Sequence, residues 1–512
     1  MEKKSRTEYS VLNIVTGLGG YAVNTVVGLI CRMIFTRTLS ADYLGVSGLF
    51  TNILTMLSLA ELGIGSAIVY ALYKPLATDD REKIASLVHF YGKCYQIIGI
   101  VVAAIGIIVM PFLDLLITEQ PNIKENIYLI YGIHLFNTAS TYFFSYRSSL
   151  LMAAQQNYIV TGTNYAITIG QSILQMIWLA TTHEYIGYLL IQSIGTFIYN
   201  FSVSYIAKRK FPYIVGKKIK PLEKEEKRGL IKNVRALIVW KLSGLLVNST
   251  DNIIITYFNG LAAVGLSSNY TLLSTTLNSL LNQLFNGITA SVGNLNAIES
   301  KEKKMSMFYS INLANFWLFG WAAIGIFVVS TDIVHLFFGE SYILPLNIPF
   351  VIALNFYMVG MQSAVWTFKN TLGLFRPGRY LLIVTAAINL ICSIWLGRIW
   401  GLFGILFATA ISRAFTNTWY DPYAVFKYGF KESVLPYFSR YIKYTAILLV
   451  TGFLCFEACS CIHYSVGINV VLKICICTII PNLIFLICFG KTMEFNYFRQ
   501  LFVKLRKKIF HK

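Results

Sequence analysis

The chain has 512 residues, of which 56% are hydrophobic and only 13% charged, with a mean hydropathy of +0.61 and a formal net charge of +20. A soluble domain carries roughly 25% charged residues, so this composition excludes an ordinary water-soluble protein. The apolar residues come in runs of about 20 or more, long enough to cross a ~30 Å hydrocarbon core as helix. The expected fold class is an all-α integral membrane protein.

In chain order, the cationic start MEKKSR runs into a first apolar segment at 11–36, too long for the h-region of a cleavable signal peptide, so this span is expected to stay in the protein. Further spans are predicted at 43–72, 86–112, 126–147, 157–180, 184–206, 236–258, 261–292, 306–337, 347–368, 380–397, 401–420, 440–461 and 466–490. That makes about 14 transmembrane helices, an even number that puts both termini on one side. Lys and Arg decide which side. The segments facing the termini hold 35 of the 43, and 11 of these lie between Lys208 and Arg235. The opposite loops hold only Arg37, Lys124 and Arg398. The positive-inside rule then places both termini in the cytoplasm. The same charges face anionic membrane lipids of the cytoplasmic leaflet and need no nucleic acid to explain them. The basic, amphipathic tail over 491–512 is expected to lie along the membrane surface.

Shifting the sequence by 220 residues lays Gly45, Ser47 and Thr51 on Gly265, Ser267 and Thr271. At a shift of 222, Arg147, Leu150, Tyr158 and Thr163 fall on Lys369, Leu372, Tyr380 and Thr385. Each half then has six spans. Because six is even, the halves share an orientation and are related by an axis along the membrane normal. The expected organisation is an N-terminal lobe over 1–206, a basic cytoplasmic linker over 207–235, a C-terminal lobe over 236–420, two added helices over 421–490 and the tail over 491–512.

Three stretches carry a resemblance: CRMIFTRTLSADYLGVSGLFTNILTMLSLAELGIGSAIVYAL, STDNIIITYFNGLAAVGLSSNYTLL and SYRSSLLMAAQQNY. With their arginine before an outer turn, seventh-span aspartate and arginine closing span four, they resemble the polysaccharide branch of the multidrug/oligosaccharidyl-lipid/polysaccharide exporter superfamily, the Wzx-type flippases of bacterial surface glycans. Glu61 stands where an aspartate is usual. The resemblance implies a V-shaped, two-lobed bundle in the bacterial plasma membrane. By alternating access it would carry an undecaprenyl-pyrophosphate-linked oligosaccharide from the inner to the outer leaflet, without covalent chemistry and beside other polysaccharide-assembly proteins. It also implies a coupling ion, a proton or sodium, which none of these residues specifies.

An anionic diphosphate crossing the membrane needs cations where charge is otherwise costly, so intramembrane charges are the informative positions. Arg32, one turn before the outer end of span one, could grip phosphate oxygens bidentately, or else anchor the interface or pair with Glu61. Lys241 and Asp251 lie on span seven, on faces roughly 80° apart; snorkelling and outer-end solvation are their plainer readings. Arg413, mid-span in helix twelve, is read as cavity lining or a structural pair. Arg147 and Lys369 occupy matching cytoplasmic ends and suit capture of a diphosphate, with topogenic charge as the alternative. No HExxH, P-loop or metal spacing occurs, and the nine cysteines read as buried thiols, so neither an enzyme nor a resident cofactor is expected. A multidrug cation exporter of the same fold would want carboxylates in its cavity, whereas the deep charges here are mostly cationic. A lipid II flippase differs in cargo and not in physics.

Overall fold

The computed structural model describes residues 6–58, 64–117, 121–216, 219–298, 300–372, 374, 378, 380–497 and 499; at 6–11, 13–15, 18, 64–67, 70, 77, 229, 231–249, 283–284 and 286–298 it describes the helix alone. Among the described residues there is no strand. The helices are α1 (Arg6–Thr38), α2 (Ala41–Leu57), α3 (Ile64–Ala77), α4 (Arg81–Val109), α5 (Leu113–Leu116), α6 (Ile127–Thr141), α7 (Ser148–Ala153) and α8 (Asn157–Thr182). They continue with α9 (Tyr185–Lys210), α10 (Lys224–Ile298), α11 (Lys301–Phe338), α12 (Asn347–Thr371), α13 (Leu381–Phe415), α14 (Asn417–Ala424), α15 (Leu435–Ser460) and α16 (Val466–Phe489). Two of these are double. Gly260 (φ 78°, ψ 170°) breaks α10 and Gly401 (φ 56°, ψ −135°) breaks α13, at left-handed φ values that glycine adopts without penalty. With those breaks counted, the helices follow the fourteen expected spans, α2 and α3 lying on either side of residues 59–63 within the second. Eight stretches among the described residues are long and apolar enough to cross a membrane, including Arg81–Leu116, Lys301–Phe338 and Val466–Phe489.

The chain forms two compact units, Met1–Gly265 and Leu266–Lys512. The core of the first is aromatic: Phe35, Tyr43, Phe50, Tyr131 and Tyr185 are all buried, and Phe50 meets Tyr131 edge-on at 5.1 Å. Lipid tails are as apolar as these side chains, so close packing and hydrogen bonds, rather than release from water, hold such helices together. The second unit is built on α11. Phe308 packs edge-on against Phe368, Phe426 and Phe430. Phe316 stacks on Tyr444 at 4.5 Å and meets Phe485 at 4.8 Å, seating α15 and α16 against α11.

Two polar clasps reinforce that seating. Lys473 Nζ donates to Asp332 Oδ2 at 2.7 Å, with both side chains 17% exposed, and Trp317 Nε1 donates to Asn482 Oδ1 at 2.7 Å. A third contact lies near the chain's C-terminal end, where Arg440 pairs with Glu494 and its guanidinium covers the Tyr309 ring at 3.9 Å. The tail over 500–512 lies outside the described residues, so its expected surface helix is not addressed by the structure.

Candidate functional site

Helix ends and intramembrane charges define the candidate site, beginning with the repeat. Ala41 opens α2 and Leu261 opens the second arm of α10, and these positions correspond at the 220-residue shift, as do Gly45 and Gly265. The contacts are reciprocal. A Cβ on Gly45 would collide with the Leu261 carbonyl oxygen, and one on Gly265 with the Ala41 carbonyl oxygen. Each glycine thus lets one backbone press on the other, the use that small residues serve at helix crossings in membranes. Gly48 extends the seam, with Val264 against it.

Arg32, in the last two turns of α1, is half-buried and within electrostatic reach of Tyr188 on α9. Asp251 is half-buried on the first arm of α10, nine residues before the Gly260 break. Lys241 lies on the same arm, its side chain outside the described residues, and Glu61 lies outside them altogether.

The matching ends of the two halves differ chemically. Lys369 Nζ donates to Asp421 Oδ1 at 2.6 Å, and Trp366 Nε1 donates to the other carboxylate oxygen at 3.2 Å. Asp421, on α14, is only 4% exposed at its side chain, so the cation at this end is matched by a buried carboxylate. Arg147 instead donates to Ser204 Oγ and lies over the Tyr146 ring at 4.7 Å. Lys208, one turn further along α9, is near enough for the two cations to repel. Among the described residues neither makes an ion pair. Asp421, Ser204 and Lys208 were not singled out from sequence. Asp421 was the one with a signal, a carboxylate inside an aromatic helical run.

Arg413 is half-buried at the end of α13, one turn beyond Thr409. Thr385, Asn389 and Ser393 form one stripe on the first arm of α13, spaced by four residues. Against them the second arm sets Thr409 and, at its end, Thr416. Asn389 Nδ2 donates to Thr409 Oγ1 at 3.0 Å, and Thr385 Oγ1 lies 2.8 Å from Thr416 Oγ1. Two oxygens in this seam, Asn389 Oδ1 and Ser393 Oγ, are fully buried and make no hydrogen bond within the protein. Among the described residues no group of three His, Cys, Asp or Glu could hold a metal ion.

This all-helical architecture has the fold of solved MurJ and MATE transporter structures. Lipid II flippase MurJ, in an inward closed conformation, superposes with a TM-score of 0.65 at 14% identity, covering 93% of this chain and 99% of that one. A Vibrio cholerae MATE transporter gives a TM-score of 0.53 at 14% identity, covering 84% of this chain and 99% of that one. An inward-facing MATE family transporter of the MOP superfamily gives 0.55 at 13% identity, covering 76% and 91%. In sequence, an uncharacterized membrane protein of Methanocaldococcus jannaschii is 23% identical over 388 residues, 71% of this chain and 74% of that protein. No family model matches the chain.

Proposed function

We propose that the protein is a flippase that carries an undecaprenyl-pyrophosphate-linked oligosaccharide from the cytoplasmic to the outer leaflet of a bacterial plasma membrane, for surface polysaccharide synthesis, with both termini in the cytoplasm. The observation that carries this reading is the pairing of a fold shared with MurJ over 93% of the chain with deep charges that are predominantly cationic. Arg32 and Arg413, both half-buried, offer guanidinium groups to a diphosphate, and guanidinium geometry suits bidentate contact with phosphate oxygens.

Alternating access gives the glycine crossing its part. With Gly45 and Gly265 pressed on the opposing backbones, α2 and the second arm of α10 are held together at that crossing, and passage of cargo between them requires the two helices to separate. Of the two coupling ions the superfamily implies, sodium suits the seam of α13, because Asn389 Oδ1 and Ser393 Oγ are neutral oxygens of the kind that ligate a hard monovalent cation and neither titrates. Bound there, the ion would supply positive charge that links the two arms of α13.

Cargo class is tested by binding to the purified protein. The reading expects saturable binding of a polyprenyl-diphosphate oligosaccharide that weakens in Arg32→Ala and Arg413→Ala, with lipid II bound less tightly. Tight binding of cationic dyes with none of the lipid-linked sugar would assign the protein to multidrug export instead.

A further inference from the structure

The outer surface of the first unit carries a feature that the transport reading leaves unused. A crevice of about 490 Å³ lies between α6 and α9, lined among others by Leu129, Phe136, Leu190, Ile194 and Phe197. Phe136 is 67% exposed and Ile194 58%, so in a membrane this wall faces lipid. The crevice continues as a ring ladder: Phe144 meets Phe197 edge-on at 5.4 Å and Phe201 at 6.3 Å. On α9 the stripe then runs on to Ser204 and Lys208, which with Arg147 form the basic end described above.

We propose that this strip is a docking site for a polyprenyl phosphate, its anionic head on Arg147 and Lys208 and its chain lying along the α6–α9 crevice. It rests on the flippase reading only in that such a carrier is the lipid part of the proposed cargo. Charge sets the head: two neighbouring cations, without a carboxylate partner among the described residues, suit a phosphate, whereas the corresponding Lys369 is taken by Asp421. Length sets the chain. From Ser204 to Leu190 α9 rises about 21 Å at 1.5 Å per residue, more than the roughly 15 Å that half a bilayer offers. A chain filling the crevice from a head at Arg147 crosses the midplane, as a long polyprenyl chain does and a leaflet-confined acyl chain does not.

The test uses the full-length protein in nanodiscs with a C55 polyprenyl phosphate bearing a diazirine near its chain terminus. The site requires cross-links on α6 and α9 near Phe136 and Ile194 that survive excess phosphatidylglycerol. Arg147→Gln with Lys208→Gln should lower their yield about tenfold, as loss of charge-assisted contacts predicts. Filling the crevice from either wall, with Ser193→Phe or Gly132→Leu, should displace them while leaving elution of the folded protein unchanged. Displacement by phosphatidylglycerol would reassign the strip to ordinary acidic phospholipid. Equal labelling by the uncharged polyprenol, or by the double variant, would remove the phosphate contact, and either result overturns the proposal. A flipping assay run beside it keeps the two readings apart: transport without these cross-links sinks the docking site alone, and cross-links without transport sink the flippase reading alone.

Discussion

At the scale of single residues, the second unit pairs buried and half-buried charges across its helices, Lys369 with Asp421 and Lys473 with Asp332. Lys473 was visible in the sequence as an ammonium inside an apolar run, but its partner Asp332 is 141 residues away, and only the docking of α16 on α11 brings them together. A buried charge left without its partner costs about 3–5 kcal/mol. Asp332→Asn is accordingly expected to lower the unfolding midpoint of the detergent-solubilised protein sharply, and Asp332→Leu combined with Lys473→Leu to recover most of the loss; an unchanged midpoint in Asp332→Asn would show the pair to be solvated. For Arg32 and Arg413 the expectation is the opposite. Arg32→Ala and Arg413→Ala should leave expression and the unfolding midpoint near wild type while abolishing transport, and wild-type transport in both would remove the diphosphate-clamp reading.

Among the elements, the correspondence of Gly45 with Gly265 was legible and its consequence was not. The 220-residue shift aligns Gly45 with Gly265 because both open a helix in a similar context, but an alignment does not say that the two glycines meet each other's helix. That follows from the crossing itself, where carbonyl oxygens occupy the space a methyl would need. Gly45→Ala and Gly265→Ala should therefore each weaken this helix crossing and reduce transport, with the double variant little worse than either single, since one contact surface is lost only once. Additive losses would mean that the glycines act separately. The spans themselves were readable from hydropathy since lipid enforces length and apolarity. The polar seam of α13 was less so: Thr385, Asn389 and Ser393 are ordinary small polar residues until their spacing of four meets Thr409 and Thr416 on the arm that Gly401 turns back.

For the whole molecule, the distribution of Lys and Arg predicts an orientation that accessibility can check. A cysteine at Glu340 should react with an impermeant thiol reagent added outside intact cells, and one at Lys303 only after the membrane is opened. The reverse pattern would invert the assigned direction of transport. The shared fold with MurJ and MATE transporters was anticipated from loose motifs, whereas the cargo rests on charges whose setting depends on tertiary pairing, as the unlike surroundings of Arg147 and Lys369 make plain. The most direct measurement is leaflet accessibility of a labelled undecaprenyl-diphosphate oligosaccharide in proteoliposomes, with a sodium or proton gradient imposed. The account predicts movement to the far leaflet that requires the protein, is stimulated by the sodium gradient and is lost in Arg413→Ala. No movement of the lipid-linked sugar, with efflux of a cationic dye from the same vesicles, would contradict it.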